Sequence, residues 1–284
     1  MNFWNIDAEI SFFIEALKNF ASPEQLFYHL KDGYLAYVPK GKSTERQTLQ
    51  SRNSLIGQYT EKWSKDFFKP IAESLGLFAV NGVVCPELGL TNRSDADLAF
   101  CTTNKTKQKA ENIKLLFEIK MSIVNNYKYD SGKIEYIGDY KTHKENPSLL
   151  RSDSMLKAIE KSINIRVSGK DSRKIPIIIL GNSPITKSYK QKVDFLKQAG
   201  IIQGFISVYP NPTDNFIKKT AKNGFQTFDN YDNLKKFITD LTKSDLNFFS
   251  SMLPKKKLGQ FITLSAQEKD DIAKAERFLT LINQ

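Results

Sequence analysis

The sequence predicts an α/β protein with a central mixed β-sheet flanked by helices, and with helical additions at both ends of the chain. Residues 54–75 carry apolar side chains at helical spacing, which indicates a long amphipathic helix. Residues 97–101 and 113–121 are apolar strands joined by a polar, Lys-rich loop. Residues 174–209 have the pattern of strand, helix and strand, which favours a parallel βαβ crossover.

The N-terminal 31 residues are predicted to be helical. Apolar side chains recur at spacings of three and four between residues 10 and 17, so they form one stripe. A second helix is expected to start at Ser22, which is a good N-cap, with Pro23 in the first helical position.

The long helix of residues 54–75 is expected to end at Gly76, and Pro70 either kinks it or marks a second start. Residues 77–87 are apolar, with Asn81 and Gly82 in the middle. That pair favours a tight turn between two short strands, and a single bent strand is the alternative.

The two strands at residues 97–101 and 113–121 carry the residues of greatest chemical interest. Because side chains alternate along a strand, Glu118 and Lys120 share one face while Ile119 and Met121 share the other. Asp97 stands at the start of the preceding strand. We therefore expect two carboxylates and one ammonium group to lie close together.

The rest of the chain supplies the predicted flanking elements. A helix is expected at residues 154–167, a strand buried on both faces at 174–180, a helix at 186–198 and a strand at 201–209. Residues 213–284 are charged, contain two apolar stripes at helical spacing, and are predicted to be helical.

The chain is strongly basic. Its 284 residues carry a formal net charge of +11, which an ordinary metabolic enzyme rarely needs and which a polyanionic partner would explain. Cys85 and Cys101 lie in apolar runs without metal-ligand spacing, so we expect them to be reduced core residues. No run is long enough for a membrane span and the N-terminus lacks signal-peptide features, so a cytoplasmic location is expected.

Two carboxylates with a neighbouring lysine suit metal-assisted chemistry at phosphorus. Mg²⁺ prefers oxygen ligands and keeps several waters, so one or two carboxylates plus a substrate phosphate are sufficient to bind it. Such a metal stabilises charge in an in-line displacement, and a lysine can orient the attacking water. A charged strand face that is merely solvated is the alternative.

The residues Ser94-Asp95-Ala96-Asp97, an apolar strand and then Phe117-Glu118-Ile119-Lys120 resemble the PD-(D/E)xK nucleases, most of all type II restriction endonucleases. The resemblance covers residues 51–208. No Pro precedes the Asp, and Asp95 and Asp97 compete for the role of metal ligand. We favour Asp97, since the apolar strand begins directly after it. The family often carries a Glu on the helix before the first core strand, and Glu61 matches that position.

The resemblance implies a restriction-endonuclease-like core and Mg²⁺-dependent cleavage of double-stranded DNA at a short specific sequence. It also implies a homodimer, with no small-molecule cofactor. The predicted organisation is an N-terminal helical region, a catalytic core with a DNA-facing insertion, and a C-terminal helical region, at residues 1–50, 51–212 (insertion 125–153) and 213–284.

The insertion mixes tyrosines with basic residues that neutralise phosphates or contact base edges. The candidate DNA-binding residues in it are Lys128, Lys133, Tyr136, Lys141, Lys144 and Arg151. An ordinary surface excursion with packed tyrosines is the alternative. Residues 41–53 are polar and basic, either an arm on the DNA backbone or a solvated linker.

Two other functions stay open at this point. A nuclease of repair or recombination would use the same active site on branched DNA or DNA ends. A DNA-binding protein without catalysis would fit the basic insertion equally well, but carboxylates repel phosphate unless a cation lies between them.

Overall fold

The structure, a computed structural model, describes residues 2–31, 33–44, 49–209, 218–244 and 253–282. The strands are β1 (Tyr28–Leu30), β2 (Gly33–Leu35), β3 (Phe78–Val83), β4 (Ala96–Cys101), β5 (Ile113–Ile119), β6 (Asn126–Asp130), β7 (Lys133–Gly138), β8 (Ile177–Gly181), β9 (Gly204–Ser207) and β10 (Phe225–Thr227). Six of them form a central sheet in the order β10-β9-β8-β5-β4-β3. The helices are α1 (Ile6–Asn19), α2 (Pro23–Leu26), α3 (Gln50–Ser74), α4 (Ser152–Ser168), α5 (Lys190–Gln198), α6 (Tyr231–Lys243), α7 (Lys255–Ser265) and α8 (Asp271–Ile282).

The sheet is mixed, as the sequence predicts. β3, β4 and β5 pair antiparallel, whereas β5, β8, β9 and β10 pair parallel. All five residues of β8 are buried, which agrees with its continuous apolar run and with a parallel strand covered on both faces. The α/β class with a helix-flanked mixed sheet is therefore confirmed.

Helices cover both faces of this sheet and create two hydrophobic cores. Along β5 the side chains alternate between them: Phe117 packs on the side of α3, and Leu116 packs on the side of α4. Strand β5 is thus enclosed on both faces. Glu118 is consequently buried, and within β5 only Lys114, near the start of the strand, is exposed.

Several local predictions need correction. The N-terminal region is not wholly helical, because β1 and β2 join β6 and β7 in a second, four-stranded sheet. The C-terminal region is not wholly helical either, because β10 extends the central sheet. The predicted insertion contains the β6–β7 hairpin, which pairs with β2, and local periodicity could not reveal this pairing between segments far apart in sequence.

The structure decides two alternatives that the sequence leaves open. Asn81 and Gly82 lie inside the single strand β3 instead of forming a hairpin turn, and Gly82 takes φ +63° there. α3 runs through Pro70 as one helix, so the prediction of a second helix start at Pro70 is wrong.

Part of the basic segment at 41–53 belongs to α3, and residues 45–48 lie outside the described part of the chain. No helix in the described ranges is both long and apolar enough to cross a membrane.

A buried carboxylate on α1 accepts hydrogen bonds from the segment that follows β5. Glu9 is fully buried and accepts hydrogen bonds from Trp4 Nε1 at 2.9 Å and Val124 N at 2.6 Å. Its other oxygen accepts from Asn125 N, Asn125 Nδ2 and Tyr127 OH at 3.1, 3.0 and 2.7 Å. Burial raises the pKa of Glu9, while these hydrogen bonds oppose the rise.

We predict that Glu9→Gln lowers the free energy of unfolding by about 2 kcal/mol, because an amide nitrogen would take the place of an accepting oxygen in front of buried donors. Urea unfolding at neutral pH measures this change. Glu15→Gln on the exposed side of α1 is the matched control and should change stability by less than about 0.5 kcal/mol. Equal stability of Glu9→Gln and the wild type would show that Glu9 is not an ionised acceptor.

Candidate active site

The pairing of β4 with β5 brings the two predicted carboxylates together. Leu98 lies opposite Phe117 and Ala99 opposite Leu116, so the same antiparallel register places Asp97 beside Glu118. Asp97 Oδ2 also accepts a hydrogen bond from Ile119 N at 2.6 Å. The Asp97 carboxylate is therefore held against the end of β5 by the backbone itself.

Lys120 follows directly after β5, and its backbone is fixed on both sides. Its N–H donates to Leu180 O at 2.7 Å, and its carbonyl accepts from Ser148 Oγ at 2.5 Å. Its side chain turns back, so that Nζ lies 2.5 Å from Glu118 Oε1. The structure thus brings Asp97, Glu118 and Lys120 together, as the sequence predicts for a catalytic centre.

Asp95 takes a different place from Asp97. It is half-buried and its Oδ2 lies against Gly82, where an added Cβ would come within 3.1 Å of that oxygen. Asp97, by contrast, lies directly beside Glu118. Of the two competing aspartates, the geometry therefore favours Asp97 as the residue that works with Glu118.

Glu61 lies on α3 near these acidic groups. Burial and the nearby carboxylates of Asp97 and Asp95 raise the pKa of Glu61 to about 7, although Lys161 opposes the rise. The backbone carbonyl of Glu61 accepts a hydrogen bond from Asn81 Nδ2 at 3.0 Å, which ties this turn of α3 to β3. The helix Glu suggested by sequence position is thus part of the same electrostatic cluster.

The sequence prediction missed one residue of this cluster, Lys161 on α4. Its Nζ lies 3.1 Å from Asp97 Oδ1 and 2.5 Å from Glu118 Oε2. Lys161 is three residues after Ala158 and four before Ile165, both of which face the core. A lysine at the border of a buried helical stripe was the signal that could have identified it.

Charge balance explains how these groups remain buried. Burial and then Asp97 raise the pKa of Glu118, while Lys120 and Lys161 oppose the rise. Burial alone would lower the pKa of Lys161, yet Asp97 and Glu118 hold it above its ordinary value. Two carboxylates and two ammonium groups therefore form an alternating chain of ion pairs: Asp97, Lys161, Glu118, Lys120.

The donor set suits a hard divalent cation with a substrate phosphate. Within the described ranges, no group of three or more His, Cys, Asp or Glu side chains is arranged to hold a metal. Mg²⁺ does not require such a cage, since one or two carboxylates and phosphate oxygens can be enough. Asp97 and Glu118 offer facing oxygens that are at present bridged by an ammonium group.

The predicted DNA-binding residues occupy different places. Arg151 lines a cavity of about 200 Å³ with Lys120, and its Nε pairs with Asp153 at 2.5 Å. Lys128 and Lys133 line a separate hollow at the β6–β7 turn. Tyr136 is 41% exposed on β7, and Lys141 and Lys144 are exposed in the following loop. Of these candidates, Arg151 is the one that lines a cavity together with Lys120.

Comparisons of the chain with protein-family models, with curated proteins and with solved structures gave no match.

We predict that Glu61→Gln stabilises the protein in a pH-dependent way. A carboxyl whose pKa is raised to about 7 carries no ionisation cost below its unfolded value of 4.5. The cost grows as pH rises from 4.5 to about 7 and then stays constant. The substitution should therefore raise the free energy of unfolding by about 1 kcal/mol at pH 8 and leave it almost unchanged at pH 4.5, allowing for partial exposure of Glu61.

Chemical unfolding at the two pH values, with chelator present, measures this difference. Glu73→Gln, at an exposed position of the same helix, is the control and should show no such pH dependence. The same stability gain at both pH values would mean that burial and the neighbouring carboxylates do not raise the pKa of Glu61.

Proposed function

We propose that this protein is a Mg²⁺-dependent endonuclease that cuts double-stranded DNA, in the manner of a type II restriction endonuclease. The observation that carries the proposal is the convergence of Asp97, Glu118 and Lys120 at the end of β5. The mixed sheet order and the strongly basic chain support it as well. A cytoplasmic homodimer is part of the same proposal.

Asp97 and Glu118 would hold the metal, because they supply carboxylate oxygens from adjacent strands at one place. When bound, Mg²⁺ would stabilise the charge of the displacement at phosphorus and lower the pKa of an attacking water. The hydrogen bond from Ile119 N fixes one oxygen of Asp97, and strand pairing fixes the backbone of Glu118, before substrate arrives, and a metal-assisted hydrolysis requires such preorganisation.

Lys120 has the position of the lysine that orients the nucleophile. Its backbone is held by β8 and Ser148, so the ammonium group can move only through its own side chain. An ammonium group near the attacked phosphorus stabilises negative charge as it develops. Glu61, with a pKa near 7, can take or give a proton at neutral pH.

DNA would enter across the open end of this cluster. The cavity shared by Lys120 and Arg151 also includes Asn53 and Asn146, which are exposed and able to contact phosphates or base edges. Because Asn53 belongs to α3 and Asn146 to the segment before α4, two parts of the chain would contact the substrate beside the scissile bond.

We predict that Glu118→Gln and Lys120→Met each lower the rate of Mg²⁺-dependent plasmid cleavage by at least about 100-fold. Both substitutions keep the approximate shape of the side chain and remove its charge. Glu111→Gln and Lys114→Met are the controls, since both residues are exposed and belong to the same stretch of chain. Sequencing of the cut ends would give the recognition sequence.

Three outcomes separate the candidate functions. Discrete fragments from linear duplex DNA that disappear in both site variants support the proposal. Cutting restricted to branched DNA or to DNA ends favours a repair or recombination nuclease. Wild-type activity in both variants, or an absence of any Mg²⁺-dependent cleavage by the wild type, contradicts the nuclease assignment.

One observation favours a binding protein without catalysis as the second candidate. Lys120 and Lys161 already neutralise Asp97 and Glu118, so the ion pairs are complete without a metal. In that case duplex DNA would bind with an affinity that falls steeply as salt rises, and Mg²⁺ would not lead to cleavage.

A further inference from the structure

The second lysine of the cluster occupies the position between the two carboxylates. Lys161 Nζ is 3.1 Å from Asp97 Oδ1 and 2.5 Å from Glu118 Oε2, and its side chain is only 17% exposed. It reaches this position from α4, whereas the carboxylates belong to β4 and β5. A single ammonium group thus joins three separate elements of the chain.

The remaining oxygens of the two carboxylates are already assigned. Asp97 Oδ2 accepts from Ile119 N, and Glu118 Oε1 contacts Lys120 Nζ. Lys161 Nζ therefore contacts one oxygen of each carboxylate, Asp97 Oδ1 and Glu118 Oε2, and these two oxygens face a common point. A divalent cation bound by both residues would use the same kind of oxygens.

Electrostatics also requires a cation at this place. Glu118 is 7% exposed and lies beside a second carboxylate, so the pair would repel each other strongly if neither had a partner. An ammonium group from α4 removes that repulsion in the absence of metal. The ammonium group carries a charge of only +1. A divalent cation would bring +2, which a phosphodiester substrate would help to balance.

We propose that Lys161 is a built-in competitor of the divalent cation, which holds Asp97 and Glu118 together until a metal displaces it. This inference rests on the metal site of the proposed function. It means that the free protein binds metal weakly. It also means that duplex DNA strengthens metal binding, because a phosphate offers the displaced ammonium group a new partner, and the coupling must be reciprocal.

The first test measures metal binding to the whole protein without DNA. Mn²⁺ is titrated into wild type and Lys161→Met, and free Mn²⁺ is counted by electron paramagnetic resonance. We expect Lys161→Met to bind Mn²⁺ at least about 10-fold more tightly than the wild type. Lys157→Met, exposed and one turn earlier on α4, should bind like the wild type. Addition of Glu118→Gln to Lys161→Met should remove the tight binding.

The second test uses the wild type, so it does not depend on the folding of a variant. Acetic anhydride labels lysines according to the exposure of their amino groups, and mass spectrometry reports each site. Mn²⁺ should raise the labelling of Lys161 several-fold, because its ammonium group leaves the carboxylates, and it should not change the labelling of Lys157.

These readouts are separable from the nuclease assay. Tighter Mn²⁺ binding by Lys161→Met supports the inference even if no DNA is cut, because it reports the metal site alone. Unchanged or weaker Mn²⁺ binding by this folded variant overturns the inference, whether or not the wild type cleaves DNA. Labelling of Lys161 that Mn²⁺ leaves unchanged overturns it as well.

Discussion

The antiparallel register between β4 and β5 is the constraint on which the rest of the site depends. It places Asp97 beside Glu118, and the hydrogen bond from Ile119 N to Asp97 Oδ2 locks the end of that register. A shift of one residue would place the two carboxylates on opposite faces of the sheet. The register is stable because alternate side chains of β5 pack into two different hydrophobic cores, so a shift would move each of them into the core that is packed for the other face.

This enclosure makes the carboxylates costly to ionise and explains the cations around them. The parallel strand β8 holds the backbone of Lys120, and α4 delivers Lys161 from the other side. The resulting ion pairs neutralise the cluster without a metal. The two carboxylates can therefore remain buried in the folded protein, whereas an unpaired carboxylate pair would destabilise the sheet.

Local periodicity predicted the central strands, the crossover and the long helix, because each has a continuous apolar pattern of its own. It also predicted that Asp97, Glu118 and Lys120 lie close together, since neighbouring strands with a polar loop between them tend to pair. It could not predict β1, β2 or β10, because each strand has only three residues, too few to show a period. Lys161 was missed because its role arises from the packing of α4 on the sheet: the helix sequence shows that Lys161 borders the buried stripe, but not which side chains it meets there.

The most direct measurement of the central claim is anomalous diffraction from crystals of the protein soaked in Mn²⁺. The account predicts one peak between the carboxylates of Asp97 and Glu118, with the Lys161 ammonium group moved away from them. A well-ordered map with no peak at that place, and with Lys161 still bridging both carboxylates at high Mn²⁺ concentration, would contradict it.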